Sequence, residues 1–324
     1  MPMMQQIFRK NSFDEYTLIT AGSTYLDIDA YACCVAMAEL LRLKGENAVA
    51  YSAATANYSV CPSLMKEGQI HKNLPLDFRE KDAHYIIVDV SDPDYIKDSV
   101  PLDRVIEVYD HHVGFEAYWT NRIGKGTHIE FIGAAATLIY REWKREGLED
   151  KLSPDTARLL IAAILDNTLN LTSSNTTQED RKAFEDLCKI ANVGSEFCAA
   201  YFSEVQKSVE RDLKNALMGD LKILRDTAVL PPKIAQLCVW DAQSIFAHLP
   251  NIRAWFEGED AWMVNLISLK EGCSYFLCDD PQYQTNIETV FDVRFEKGTA
   301  KSPVSYLRKQ IIKKSYFNDE NKGA

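Results

Sequence analysis

Four short stretches carry acids, or an acid with imidazoles, at spacings that could do chemistry. They are "LDID" with Asp27 and Asp29, "VDVSD" with Asp89, "VYDHH" with Asp110, His111 and His112, and "AAILDNT" with Asp166. Carboxylates gathered at one point repel unless a cation neutralises them. Acids joined by one imidazole suit a hard or borderline divalent ion, Mg2+ or Mn2+, in octahedral geometry. Two such ions sharing a bridging carboxylate, roughly 3.5–4 Å apart, clamp a phosphoryl group and lower the pKa of a water between them. In "YDHH" one imidazole would ligate, the other would face substrate, and Asp110 would orient a ring. Each stretch alone has a plainer reading: a helix N-cap with a first-turn acid for Asp-x-Asp, a turn residue for a lone Asp after a strand, a helix-end acid for Asp166. The metal reading rests on the four arriving together.

The elements that must position them alternate in type. Segments 16–21, 47–52, 84–90, 103–110 and 127–132 read as strands, and 29–45 as an amphipathic helix closed by Gly45, with further helices over 133–145 and 154–166. Such alternation implies βαβ units, an α/β fold with a doubly wound, mostly parallel sheet. Ligands bind outside the carboxyl ends of such strands, and the acids follow three of them. The second half differs: a long charged helix over 203–224, a break at Pro231-Pro232, then strands at 233–240 and 261–269. That gives a second, smaller α/β domain. The boundaries read 1–195 for the first domain, 196–210 for a helical connector and 211–324 for the second domain. The tail from Lys314 reads as frayed.

With 324 residues, 46% of them hydrophobic, the chain can bury two cores. It lacks a run of about 18 apolar residues, so no membrane span is expected. A formal net charge of -11 argues against duplex nucleic acid or a membrane surface as partner. A small anion held by metal ions or by a local basic cluster remains compatible. Eight scattered cysteines without a CxxC pair read as reduced thiols in a cytoplasm.

The order LDID, VDVSD, YDHH, IGAAAT and AAILD resembles the DHH phosphoesterase superfamily. "IEFIGAAATLIYREW" (129–143) is similar to the family's glycine-containing turn and helix. "LLIAAILDNTLNLTSSNTTQEDRKAFEDL" (159–187) resembles the long last motif of the family II inorganic pyrophosphatases and related exopolyphosphatases. The Gly-Gly-Gly-His motif of the superfamily's oligonucleotide branch is absent. "GDLKIL" (219–224) and "YLRKQII" (306–312) instead resemble the Asp-x-Lys and late Ser-Arg-Lys motifs of the DHHA2 domain.

The resemblance implies residue roles. Asp27 would bind one metal ion and Asp29 the other, Asp89 would bridge both, and His111 and Asp166 would complete the second site. An ungapped alignment to the pyrophosphatases puts Asn167 at that last ligand position, and a shift of one residue restores Asp166, whose carboxylate binds a cation better. His112, oriented by Asp110, would contact phosphate as the catalytic pair, with Lys222, Arg308 and Lys309 supplying positive charge from the second domain. The plainer reading of that basic group is a solvated C-terminal helix. Where the pyrophosphatases have a metal-binding His, this chain has Ser23, and Leu307 replaces the Ser of the late motif. Leu26 before the Asp-x-Asp matches the exopolyphosphatase and prune branch, which points toward Mg2+.

The expected protein is a hydrolase of two domains with its active site in the cleft between them. It would use two divalent ions, Mg2+ or Mn2+, and release phosphate from short polyphosphate or pyrophosphate by in-line attack of a metal-bridging hydroxide. The alternatives are a nucleotide or cyclic-nucleotide phosphoesterase, and a catalytically weakened binding or regulatory protein of the same fold. The expected partners are a small phosphorylated substrate and, in a homodimer, a second copy of the chain.

Overall fold

A computed structural model describes residues 16–24, 26–66, 68–73, 83–224, 229–259 and 261–319. These fall into two compact units. The first runs to Asn167 and resumes over Thr177–Asn192; the second takes Thr168–Thr176 and the chain from Val193. Residues 168–176, read with the first domain in the sequence, thus group with the second unit.

The first unit starts with β1 (Tyr16–Thr20), whose β-branched and apolar residues are buried along most of its length. Helix α1 (Ile28–Leu43) follows, capped by Asp27 and left through Gly45 at φ +84°. Then come β2 (Ala48–Ala50), β3 (Ala83–Val88), α2 (Pro93–Ile96), β4 (Val105–Asp110), α3 (Glu116–Ile123) and β5 (Thr127–Ile129). Helices α4 (Ala135–Arg145), α5 (Pro154–Asn167) and α6 (Gln178–Ala191) complete the unit. The strands form one sheet in the order β2-β1-β3-β4-β5, and every pairing is parallel. Parallel neighbours need crossovers, and the helices supply them on both faces. Leu18, Tyr85, Ile87 and Val108 pack on one face with Ile96 of α2 and Trp119 of α3. Helix α1 runs along the other face, against α4 and α5. From Ile28 to Ala38 every residue of α1 is buried, so the helix read as amphipathic is covered on all sides over that stretch, and Leu159–Leu165 of α5 is buried likewise. The α/β, doubly wound, parallel reading of the first half is what the fold displays.

The second unit holds α7 (Glu196–Arg211), α8 (Leu213–Gly219), β6 (Lys222–Ile223), β7 (Lys233–Val239), α9 (Ala242–Phe246), α10 (Leu249–Trp255), β8 (Trp262–Ser268) and β9 (Cys273–Leu277). It ends with α11 (Pro281–Phe291), β10 (Phe295–Glu296), β11 (Thr299–Ser302) and α12 (Arg308–Asp319). Its sheet runs β10-β11-β9-β8-β7-β6 and is mixed: β7 and β8 are parallel, the other pairs antiparallel. Ile234, Met263 and Phe276 of this sheet pack with Ile287 and Phe291 of α11 and Ile311 of α12. Two expectations need correction. The helix read over 203–224 breaks at Asp212, where φ is -142° and ψ 52°, and stops at Gly219; Lys222 lies on a strand instead. The tail read as frayed from Lys314 is helical through Asp319. Among the described residues no helix is long and apolar enough to cross a membrane.

Candidate metal centre

The parallel sheet sets Asp89 and Asp110 side by side. Asp89 is the first residue past β3, Asp110 the last of β4, and His111 the next. Asp89 adopts φ +58°, a left-handed conformation that an L side chain seldom takes, and its N–H donates to the Tyr109 carbonyl at 2.8 Å. Asp27 comes from the loop after β1. Its carboxylate accepts from the Ala30 N–H at 2.9 Å, so it serves as the helix cap as well. Asp29 is fully buried in the first turn of α1. Its two oxygens accept from the N–H groups of Ala135 and Ala136 at 2.9 and 2.8 Å, at the positive end of α4. The Cys33 thiol lies 3.4 Å from the same carboxylate.

His111 joins these acids. Its Nδ1 lies 3.3 Å from the Ile132 carbonyl, which can only accept, so Nδ1 carries the proton and Nε2 presents a lone pair. That Nε2 faces Asp89 Oδ1 at 3.4 Å and Asp29 Oδ2 at 4.0 Å. Asp89 Oδ1 and His111 Nε2 are buried with no hydrogen-bond partner. Acceptors meeting without a proton between them are costly in a dry site unless a cation lies among them. Electrostatics agree. Burial, then the carboxylates of Asp29 and Asp27, hold Asp89 well above the ordinary carboxylate range. Burial, with the Asp27 carboxylate beside it, also pushes Asp29 up, against the two α4 N–H groups. A divalent ion reverses both tendencies, so the donor set fits the hard or borderline ion read from the sequence.

Asp110 is fully buried and accepts from both the N–H of His112, at 3.0 Å, and its Nδ1, at 2.9 Å. That bond raises the His112 pKa and leaves Nε2 as the second nitrogen of a mostly exposed ring. The Ser91 hydroxyl donates to the His112 carbonyl at 3.1 Å, and the buried Trp119 indole donates to the Ser91 carbonyl at 2.7 Å. One ligand atom each from Asp89, His111 and His112 lies within 4.8 Å of the other two. Asp27 and Asp29 stand outside that group, as does Asp166, half-buried in the last turn of α5, and the Asn167 amide donates to the Ala163 carbonyl at 3.4 Å. Just beyond them Leu169, Asn170 and Leu171 form a left-handed turn at φ 50°, 58° and 63°. Ser23 is exposed.

In the second unit Lys222 and Lys309 are exposed, on β6 and in the first turn of α12. Arg308 is engaged. Its guanidinium donates to Asp220 Oδ2 at 2.6 Å and Oδ1 at 3.2 Å, and its N–H donates to Gln236 Oε1 at 2.6 Å. Sequence reasoning passes over Asp220, although it is the Asp of "DLK". It also passes over Asp180, whose Thr-x-x-Asp spacing behind Thr177 is a capping-box signal.

No family model matches the chain. A probable manganese-dependent inorganic pyrophosphatase of Exiguobacterium sp. is 25% identical over 322 residues, 91% of this chain and 96% of that one. A protein of Staphylococcus saprophyticus with the same name is 32% identical over 253 residues, 71% of this chain and 75% of that one. Among solved structures, one from Methanococcus jannaschii assigned to the family II inorganic pyrophosphatases superposes with a TM-score of 0.63 at 19% identity, covering 92% of this chain and 98% of that one. An exopolyphosphatase-related protein from Bacteroides fragilis gives 0.50 at 12% identity, covering 93% and 90%. The two structures share the fold, and the sequence relatives carry the kinship: the chain belongs to the manganese-dependent inorganic pyrophosphatases, the family II enzymes of the DHH superfamily.

Proposed function

We propose that the chain is a divalent-metal-dependent phosphoanhydride hydrolase whose substrate is pyrophosphate or short polyphosphate. The observation that carries the reading is the pair of unsatisfied buried acceptors, Asp89 Oδ1 and His111 Nε2, beside Asp29 Oδ2. The relatives' name puts pyrophosphate and Mn2+ first. Ser23 is the observation that favours the second reading, polyphosphate with Mg2+, because a hydroxyl in place of an imidazole leaves more water on the ion.

Bound ions, two in this proposal, supply charge neutralisation and an acidified water. Asp27 would hold one and Asp29 the other, Asp89 would be shared by both, and His111 and Asp166 would complete the second. Asp110 keeps the proton on His112 Nδ1 and fixes the ring, so that His112 Nε2 is presented to a phosphate oxygen. Lys222, Arg308 and Lys309 are assigned the remaining phosphate charge; both terminal nitrogens of Arg308 are held by the Asp220 carboxylate, so a phosphate would compete with that pair. The same reading carries a cytoplasmic location, no duplex nucleic acid partner, and a homodimer that sizing would detect.

The test is phosphate release from pyrophosphate, short polyphosphate, nucleotides and cyclic nucleotides, with Mg2+, Mn2+ or chelator. Release from the first two that vanishes with chelator is expected. Release only from nucleotides would move the reading to a phosphoesterase, and none at all to a binding or regulatory protein.

A further inference from the structure

Asp180 is fully buried in the first turn of α6, and its carboxylate collects four donors. The Thr177 N–H and hydroxyl reach Oδ2, each at 2.7 Å, and the Thr137 hydroxyl reaches Oδ1 at 2.6 Å. The fourth is the Gly133 N–H, 2.9 Å from Oδ2. Gly133 N belongs to the same peptide group as the Ile132 carbonyl, and that carbonyl takes the proton of His111 Nδ1. A carboxylate thus sits at one end of a peptide dipole and an imidazole at the other.

We infer that Asp180 is the positioning residue for His111, acting through the Ile132–Gly133 peptide. A buried negative charge on the peptide N–H polarises the carbonyl and makes it a stronger acceptor. A stronger acceptor holds the proton on Nδ1 and keeps the Nε2 lone pair directed at Asp89 and Asp29. Ligating histidines are ordinarily tuned by a carboxylate or carbonyl on the far ring nitrogen; in this chain the two are coupled in series. The Gly133 bond also ties the loop before α4 to Asp180, so the carbonyl cannot rotate away without breaking it. The inference rests on His111 being a metal ligand.

The test compares Asp180→Asn, Thr177→Val and His111→Gln with the parent. Mn2+ affinity is measured by calorimetry, and the His111 tautomer by 15N NMR of the metal-free protein. Asp180→Asn should weaken Mn2+ on the order of 10–100-fold and erode the Nδ1–H signature. Thr177→Val removes a cap of the same helix but spares the bond to Gly133, so it should cost thermal stability and leave both readouts at the parental value. Parental affinity in Asp180→Asn, or an equal loss in Thr177→Val, overturns the inference. An Nε2–H tautomer in the metal-free parent overturns it without any variant. Parental affinity in His111→Gln would instead remove the metal-site assignment itself.

Discussion

Asp89 holds φ +58° at a strand end, a conformation that costs a non-glycine residue on the order of 1–3 kcal/mol and persists where surroundings enforce it. The enforcing bond is the one to Tyr109, and the result is a carboxylate aimed at His111. Ser23 tests the chemistry next to it. Ser23→His should tighten Mn2+ relative to Mg2+ and raise Mn2+-supported pyrophosphate hydrolysis; superimposable metal titrations of the two proteins would show that position 23 does not face the ion. A second expectation concerns the basic group. Arg308→Ala with Lys309→Ala should cut kcat/KM for pyrophosphate at least about tenfold, the loss of a charged hydrogen bond, with Mn2+ affinity unchanged. Parental kcat/KM would remove Arg308 and Lys309 from the phosphate contact. Asp27, Asp89, His111 and His112 stood out as candidates because each comes after a strand in the sequence. Asp180 and Asp220 were not read as partners, since Asp180 meets Gly133 across 47 residues and Asp220 meets Arg308 across 88. Only packing chooses such partners.

Strands alternating with helices made the first sheet readable, and the apolar runs of β1 and β3 are the signature of parallel strands buried on both faces; α1, read as amphipathic, is buried on all sides from Ile28 to Ala38. The long helix read over 203–224 failed for a physical reason. Helical charge spacing persists through "KNALMGDLKIL", yet Lys222 and Ile223 pair antiparallel with Ile234 and Lys233, and that ladder outweighs local propensity. At the edge between β4 and β5 a glycine is needed for space. A Cβ on Gly126 would stand 2.2 Å from the Ile106 carbonyl oxygen, so backbone must shift. Gly126→Ala should therefore destabilise the fold by about 1–3 kcal/mol in denaturant titration. A change under about 0.5 kcal/mol, the size of an ordinary surface substitution, would contradict that contact.

The whole chain carries a formal net charge of -11, and the buried acids Asp29 and Asp89 lie past the carboxyl ends of β1 and β3. An ion that binds there only in the folded state must stabilise that state, by about 2.7 kcal/mol at a hundredfold excess over Kd for one site. Mn2+ should therefore raise Tm and chelator should lower it, and a Tm indifferent to both would remove the ion from the fold's energetics. The most direct measurement counts the ions. Calorimetric titration of the chelated protein with Mn2+ should give two sites per chain, and Asp89→Asn should lose most of that binding together with phosphate release from pyrophosphate. Unchanged stoichiometry and affinity in Asp89→Asn would contradict a centre built on the carboxylate between β3 and β4.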